Sequence, residues 1–369
     1  MLRFGLRSQV VLGRRTISVI NSKQYSTAGD ETGHSSPMYK LYDTIPFEPQ
    51  SAVSGVIATI FGSTGFLGRY VVGAVAEQGA QIIVPYRGTE NCFRHLRVLG
   101  DLGQVVAMGC DVWKPDQVEE VCSQSNVVIN LIGSRWDTKN FSMYDTNHQI
   151  AENIAKGAKN AGVNRIIHVS ALGADENAPS DFGKSKWMGE QAVKEVFPDA
   201  TILRPSTLFG YEDHLLNKWA GVMKFWPTVP LIEGTLERKE APLAATDLSD
   251  CIKKCTFDAA TIGKTYELQG PDVMTQRELL DLVRRNIYST TRETPVPLSV
   301  FRTLVGITSH FAKAPRFTKD EVTFSTTDNL VNPEARDISE LLDTDPIKMS
   351  AVAIRFIRHF RNPEFIHEL

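Results

Sequence analysis

Two places in this chain carry residue types at spacings suited to phosphate chemistry. In the first, the apolar run Val56 to Phe61 leads straight into Gly62-Ser63-Thr64-Gly65-Phe66-Leu67-Gly68, inside which a helical pattern begins. Glycines there permit a tight turn. They also let the backbone of Gly62, Thr64, Gly65, Phe66, Leu67 and Gly68 approach a pyrophosphate, whose charge then meets the free N–H groups and positive dipole end of a helix. In the second, the next apolar run ends Val84-Pro85-Tyr86-Arg87-Gly88. That is about 20 residues after the glycine turn, where a side chain meets the adenosine ribose of a dinucleotide. An acid would accept from a 2′-hydroxyl, whereas Arg87 offers a planar fork for a 2′-phosphate, so NADPH is expected over NADH. Metal chemistry has no such support, because the eight histidines show neither H-x-x-x-H nor H-E-x-x-H spacing. Glu233, Glu237 and Glu240 alternate with Arg238 and Lys239 and read as a solvated face, not as paired carboxylates.

The elements that must hold these residues alternate short apolar runs with amphipathic stretches, the pattern of β-α-β units and a parallel sheet. Strands are expected at Val56 to Phe61, Gln81 to Val84, Val105 to Met108, Asn126 to Ile132, Arg165 to Ser170, Ala200 to Leu203 and Lys264 to Gly270. Helices are expected at Leu67 to Glu77, Pro115 to Ser123, Thr146 to Ala161 and Thr275 to Tyr288, the last capped by Thr275 with Glu278 three residues on. The fold class is therefore α/β, a Rossmann-type doubly wound parallel sheet, with a smaller and mainly helical C-terminal region. The 369 residues, 42% of them hydrophobic, are enough for a sizeable core. A net charge of -3 gives no case for nucleic acid as a partner. The five cysteines include no C-x-x-C pair and read as reduced thiols.

The glycine spacing is G-x-x-G-x-x-G, which resembles the extended and atypical branches of the short-chain dehydrogenase/reductase superfamily. That resemblance gives roles to further residues. Gly109-Cys110-Asp111-Val112 stands where the superfamily places an Asp against the adenine amino group, so Asp111 and Val112 are adenine-side candidates. Asn130-Leu131-Ile132-Gly133 resembles its N-x-x-G position beside the adenosine ribose, adding Leu131, Ile132 and Gly133. Arg204-Pro205-Ser206 with Phe209-Gly210 resembles its loop over the nicotinamide, adding Pro205. Active members also carry a Ser and Y-x-x-x-K, the tyrosine acting as general acid. Ser170 and Lys186 fit, but residue 182 is phenylalanine, which has no proton to give. The resemblance thus implies a nucleotide held without turnover and no catalytic residue.

A narrower likeness runs from Val53 to Gly270. Gly62 to Arg87, His95-Leu96-Arg97 with Gly100-Asp101-Leu102-Gly103-Gln104, Ser125 to Gly133, Trp136, Thr138-Lys139-Asn140-Phe141 and Phe209-Gly210-Tyr211-Glu212-Asp213 resemble the nucleotide-binding accessory subunits of mitochondrial NADH:ubiquinone oxidoreductase, respiratory complex I. This implies a tightly bound, structural NADPH and a role in assembly or stability. It also implies complex I partners near the quinone-reduction module, where the peripheral and membrane arms join. A free-standing matrix NADPH-dependent reductase or isomerase with a relocated acid is the other reading.

Residues 1–25 carry Arg3, Arg7, Arg14, Arg15 and Lys23 with no acid, among apolar residues, and read as a mitochondrial transit peptide. The expected location is the matrix side of the inner membrane, as a peripheral protein. Residues 26–52 read as an irregular arm, 53–250 as the NADPH-binding domain and 251–369 as a C-terminal region with docking helices. Two apolar stripes at helical spacing prompt that last expectation. One comprises Pro297, Val300, Phe301, Leu304, Ile307 and Phe311; the other Met349, Val352, Ala353, Phe356, Ile357 and Phe360. Cations flank both, which fits a headgroup interface or a partner helix; the alternative is that the stripes close the protein's own core.

Overall fold

The computed structural model describes residues 54–138, 140–311, 317–332 and 335–361. The segments expected to be a transit peptide and an arm lie outside the described residues, as do Lys139 and the side chains of Ile307 and Phe311.

β1 (Ile57–Phe61), β2 (Gln81–Tyr86), β3 (Val105–Gly109), β4 (Val127–Asn130), β5 (Arg165–Val169), β6 (Thr201–Pro205) and a later strand, Thr265–Leu268, form one seven-stranded sheet. Every pairing in it is parallel. Such strands are covered on both faces, which is why they read as continuous apolar runs. The chain lays β2 and β3 on one side of β1, then crosses to β4, β5 and β6 on the other. Outside the carboxyl ends of β1 and β4 this reversal opens a crevice, the place where doubly wound sheets bind ligands. α1 (Phe66–Ala76), α2 (Pro115–Cys122), α3 (Ile150–Asn160) and α4 (Asp181–Val196) connect these strands. One core joins α2 and α3 to the sheet through Val118, Val121, Ile154, Ala158, Val128 and Ile166.

Element ends differ from the sequence pattern for local reasons. β4 stops at Asn130, whose Oδ1 accepts from Ile132 N at 3.0 Å and turns the chain out of the ladder. The helix expected from Thr146 begins as a π-turn, Asp145–Gln149, which swings Asn147 inward until it is 1% exposed. The Thr275 capping box is present: Glu278 N donates to Thr275 Oγ1 at 3.2 Å and Thr275 N to Glu278 Oε2 at 2.7 Å.

After β6 come α5 (Leu216–Phe225), β7 (Thr228–Ile232), α6 (Ala245–Phe257), β8 (the Thr265–Leu268 strand), α7 (Gln276–Ile287), β9 (Arg292–Val296), α8 (Leu298–Phe311), α9 (Lys319–Phe324) and α10 (Met349–Ile357). Residue 250 lies inside α6, which packs on α1, and β8 completes the sheet from beyond it. α5, α7, α10 and β7 build a second core with Phe301 and Val305 of α8.

That second core decides between the two readings of one stripe. Met349, Ala353 and Ile357 are fully buried in it, so the α10 stripe closes the protein's own interior. Periodicity tells that a helix has an apolar face and not what covers it. The α8 stripe divides. Phe301 is 5% exposed in the core, while Val300 and Leu304 are 49% and 54% exposed on the outer side.

Candidate nucleotide site

The glycine turn is built by its own backbone. Gly62 has φ +80°, which favours glycine, and its carbonyl accepts from Gly65 N at 3.0 Å. A Cβ at Gly62 would lie 3.0 Å from the Leu131 carbonyl carbon. One at Gly68 would lie 2.2 Å from Ser63 O, so only glycine lets α1 pack onto the turn. The first turn of α1 carries no acid, leaving its N–H groups and dipole for an anion.

Beyond this turn lies a cleft of about 820 Å³, its open mouth included. It gathers Phe66, Leu67, Leu131, Gly133, Ser170, Lys186 and Pro205 from the sequence-derived site, together with Phe182. Gly62, Thr64, Gly65 and Gly68 form the turn at its head, and Ile132 lies behind Gly62. Arg87, Asp111 and Val112 do not line this cleft. They follow β2 and β3 farther along the same edge of the sheet, Arg87 exposed and Asp111 half-buried with Oδ1 accepting from Trp113 N at 3.3 Å.

α4 positions the chemical end. Ser180 caps it, its Oγ accepting from Gly183 N at 3.1 Å, and Phe182 and Lys186 then fall on successive turns. Lys186 is 6% exposed and its Nζ donates to Val169 O at 3.3 Å. Burial holds its pKa down to about 8; the Glu190 carboxylate pulls the other way and Arg135 adds to the depression. A Cβ on Gly133 would lie 2.6 Å from this Nζ, so glycine keeps the ammonium's approach open. Glu190 is fully buried and receives both Arg204 Nε at 2.9 Å and Nη2 at 2.7 Å, while Arg204 Nη1 reaches Glu267 at 3.2 Å. This ties α4 to β6 and β8. On the strand behind, His168 Nδ1 accepts from Asn130 Nδ2 at 3.2 Å, and burial with Lys186 nearby lowers its pKa to about 3, so the ring stays neutral.

Phe182 faces apolar and cationic surroundings. Its ring meets Phe324 edge-on at 6.4 Å, with the Arg135 guanidinium 5.6 Å from its centroid. The Asp320 carboxylate accepts from Asp181 N at 2.7 Å and Phe182 N at 3.0 Å, which seats α9 against the start of α4. Burial raises the Asp320 pKa and these two bonds oppose the rise.

Sequence reasoning missed Asn147, Ser134, Arg135 and His214. Asn147 Oδ1 accepts from Ser134 N at 2.9 Å, and its Nδ2 donates to Ser134 O and to Ser185 Oγ, each at 2.9 Å. The polar run Asp145-Thr146-Asn147-His148-Gln149 at a helix start was the available signal. Arg135 and His214 line the cleft from loops without periodicity. Among the described residues no group of three or more His, Cys, Asp or Glu could hold a metal ion, and no helix is long and apolar enough to cross a membrane.

A dinucleotide fits this donor set. The turn admits no Cβ at Gly62 or Gly68, a helix N-terminus faces the same crevice, and a buried ammonium and the Ser170 hydroxyl meet at its far end. Comparisons agree with that class of site. Residues 58–229 match the NAD dependent epimerase/dehydratase family. The chain is 39% identical over 322 residues to the Arabidopsis thaliana protein named NADH dehydrogenase (ubiquinone) 1 alpha subcomplex subunit 9, mitochondrial, covering 85% of this chain and 80% of that one. The Dictyostelium discoideum protein of the same name is 35% identical over 358 residues, covering 95% and 96%. Among solved structures, the Escherichia coli NADPH-dependent quinone oxidoreductase complexed with NADPH superimposes with a TM-score of 0.64 at 18% identity, covering 83% of this chain and all of that one. At that identity the likeness speaks to fold alone.

Proposed function

This chain belongs to the family of the mitochondrial NADH dehydrogenase (ubiquinone) 1 alpha subcomplex subunit 9, and from that premise we propose that it is a non-catalytic accessory subunit of complex I that holds NADPH as a structural group. The observation that carries the reading is Phe182. Around it stand a glycine turn, Ser170 and a buried Lys186, while position 182 itself has a ring packed on Phe324 and no hydroxyl. Binding groups are kept and the proton donor is missing.

In this reading Gly62, Thr64, Gly65, Phe66, Leu67 and Gly68 take the pyrophosphate, Arg87 the 2′-phosphate, and Asp111 and Val112 the adenine. Leu131, Ile132 and Gly133 flank the adenosine ribose, Lys186 and Ser170 face the nicotinamide ribose, and Pro205 lies over the nicotinamide. When bound, the cofactor supplies a nicotinamide able to donate hydride. The protein offers no acid at residue 182 to complete such a transfer. A bound nucleotide stabilises the native state by mass action, which links cofactor binding to assembly. The subunit would sit on the matrix side of the inner membrane near the quinone-reduction module, with Val300 and Leu304 on the outer side of α8 as docking side chains.

Absorbance of the bound nucleotide in the reduced-nicotinamide band, followed as carbonyl compounds and quinones are added, tests the claim. Losing a general acid costs on the order of 100- to 10,000-fold in rate, so the band should persist. Rapid oxidation by the isolated chain would establish an enzyme instead.

A further inference from the structure

Phe141 lies between two groups at the outer end of the sheet edge. The Arg87 guanidinium carbon is 5.3 Å from its ring centroid, and the Trp113 indole stacks on it at 5.2 Å with the planes 14° apart. Phe141 and Trp113 are both tied down by backbone bonds. Phe141 N donates to Thr138 Oγ1 at 3.1 Å and Thr138 N returns a bond to Phe141 O at 2.9 Å, which ties the backbone of Phe141 to Thr138. Trp113 is anchored by its backbone N–H on Asp111 Oδ1. Arg87 itself forms no salt bridge with a carboxylate among the described residues, although Glu90 is only three positions away. Its charge is met by an aromatic face.

We propose that Phe141 is the positioning residue for cofactor selectivity, holding Arg87 in the orientation that receives a 2′-phosphate; the inference rests on the reading that this cleft binds NADPH. A guanidinium lying against a ring has its planar face occupied and its N–H edge free. That edge is the part that grips phosphate through paired hydrogen bonds. An exposed arginine without such support loses side-chain freedom when it closes on a ligand, and a preorganised one loses less. The gain falls on the phosphorylated nucleotide alone. A 2′-hydroxyl can accept one neutral hydrogen bond from the fork but offers neither the charge nor the second oxygen of a phosphate.

The full chain, dialysed to equilibrium against mixtures of NADPH and NADH, gives a bound ratio by mass spectrometry. Phe141→Leu should lower the NADPH:NADH ratio roughly three- to tenfold, the range expected for losing one cation–π contact, without weakening NADH binding. Phe141→Tyr, which keeps the aromatic face, should restore the ratio. With Arg87→Leu already in place, Phe141→Leu should change it no further. The inference is overturned if Phe141→Leu leaves the ratio alone while Arg87→Leu abolishes it, or if Phe141→Leu weakens both nucleotides equally, as a packing residue would. A wild-type chain that prefers neither nucleotide would contradict the underlying reading and this inference with it.

Discussion

Burying the Lys186 ammonium against Val169 O, with Glu190 attracting it and Arg135 repelling it, leaves its folded pKa near 8 where 10.5 is usual. The unfolded chain therefore binds more protons between those two values, and stability rises with pH across that window. Below about pH 8 the charged lysine opposes folding in full. Lys186→Met keeps the stem and removes the charge. The nucleotide-free variant should melt higher than wild type at pH 7, with the gain shrinking as pH climbs from 8 to 10.5, while its nucleotide affinity falls. Thermal melts at several pH values check this, and a lower Tm at pH 7 without nucleotide would refute it. Residue-scale reading of the sequence placed Ser170 at the end of an apolar run and Lys186 four residues after position 182, one helical turn on, and the superfamily resemblance gave those positions their roles. It could not find Phe324 or Asp320, which reach Phe182 from far along the chain through tertiary packing.

At the scale of elements, α1 holds two glycines with opposite demands. Gly68 has no room for a methyl group, its added Cβ falling 2.2 Å from Ser63 O, whereas nothing lies within 4 Å of one on Gly73 in the same helix. Gly68→Ala should thus lower stability and nucleotide content together. Gly73→Ala should raise stability by about 0.5–1 kcal/mol, the usual gain from replacing a mid-helix glycine, and leave the nucleotide in place. Denaturant titration with nucleotide quantification distinguishes them, and equal behaviour of the two variants would mean that α1 does not depend on the close approach at Gly68. Most elements were legible because parallel strands buried on both faces read as apolar runs. The π-turn at Asp145–Gln149 was not, since hydrophobic periodicity carries no mark of one extra residue per turn.

Across the whole molecule, the sheet and the second core are one construction: α6 and β8 complete the sheet, while α5, α7 and α10 enclose the other core. Sequence periodicity gave the two late stripes the same meaning, and packing separates them. Met349, Ala353 and Ile357 have become interior, while Val300 and Leu304 remain on the surface that a partner or headgroup layer can cover. The proposal that this chain is a nucleotide-holding part of a larger assembly rests on the ring in place of a hydroxyl at Phe182 and on this outward apolar edge. The most direct measurement isolates the chain within the native-gel band of the inner-membrane assembly and identifies by mass the nucleotide it releases. Stoichiometric NADPH from the high-mass band is the result expected. NADH, no nucleotide, or a chain found only at its own mass would contradict the account.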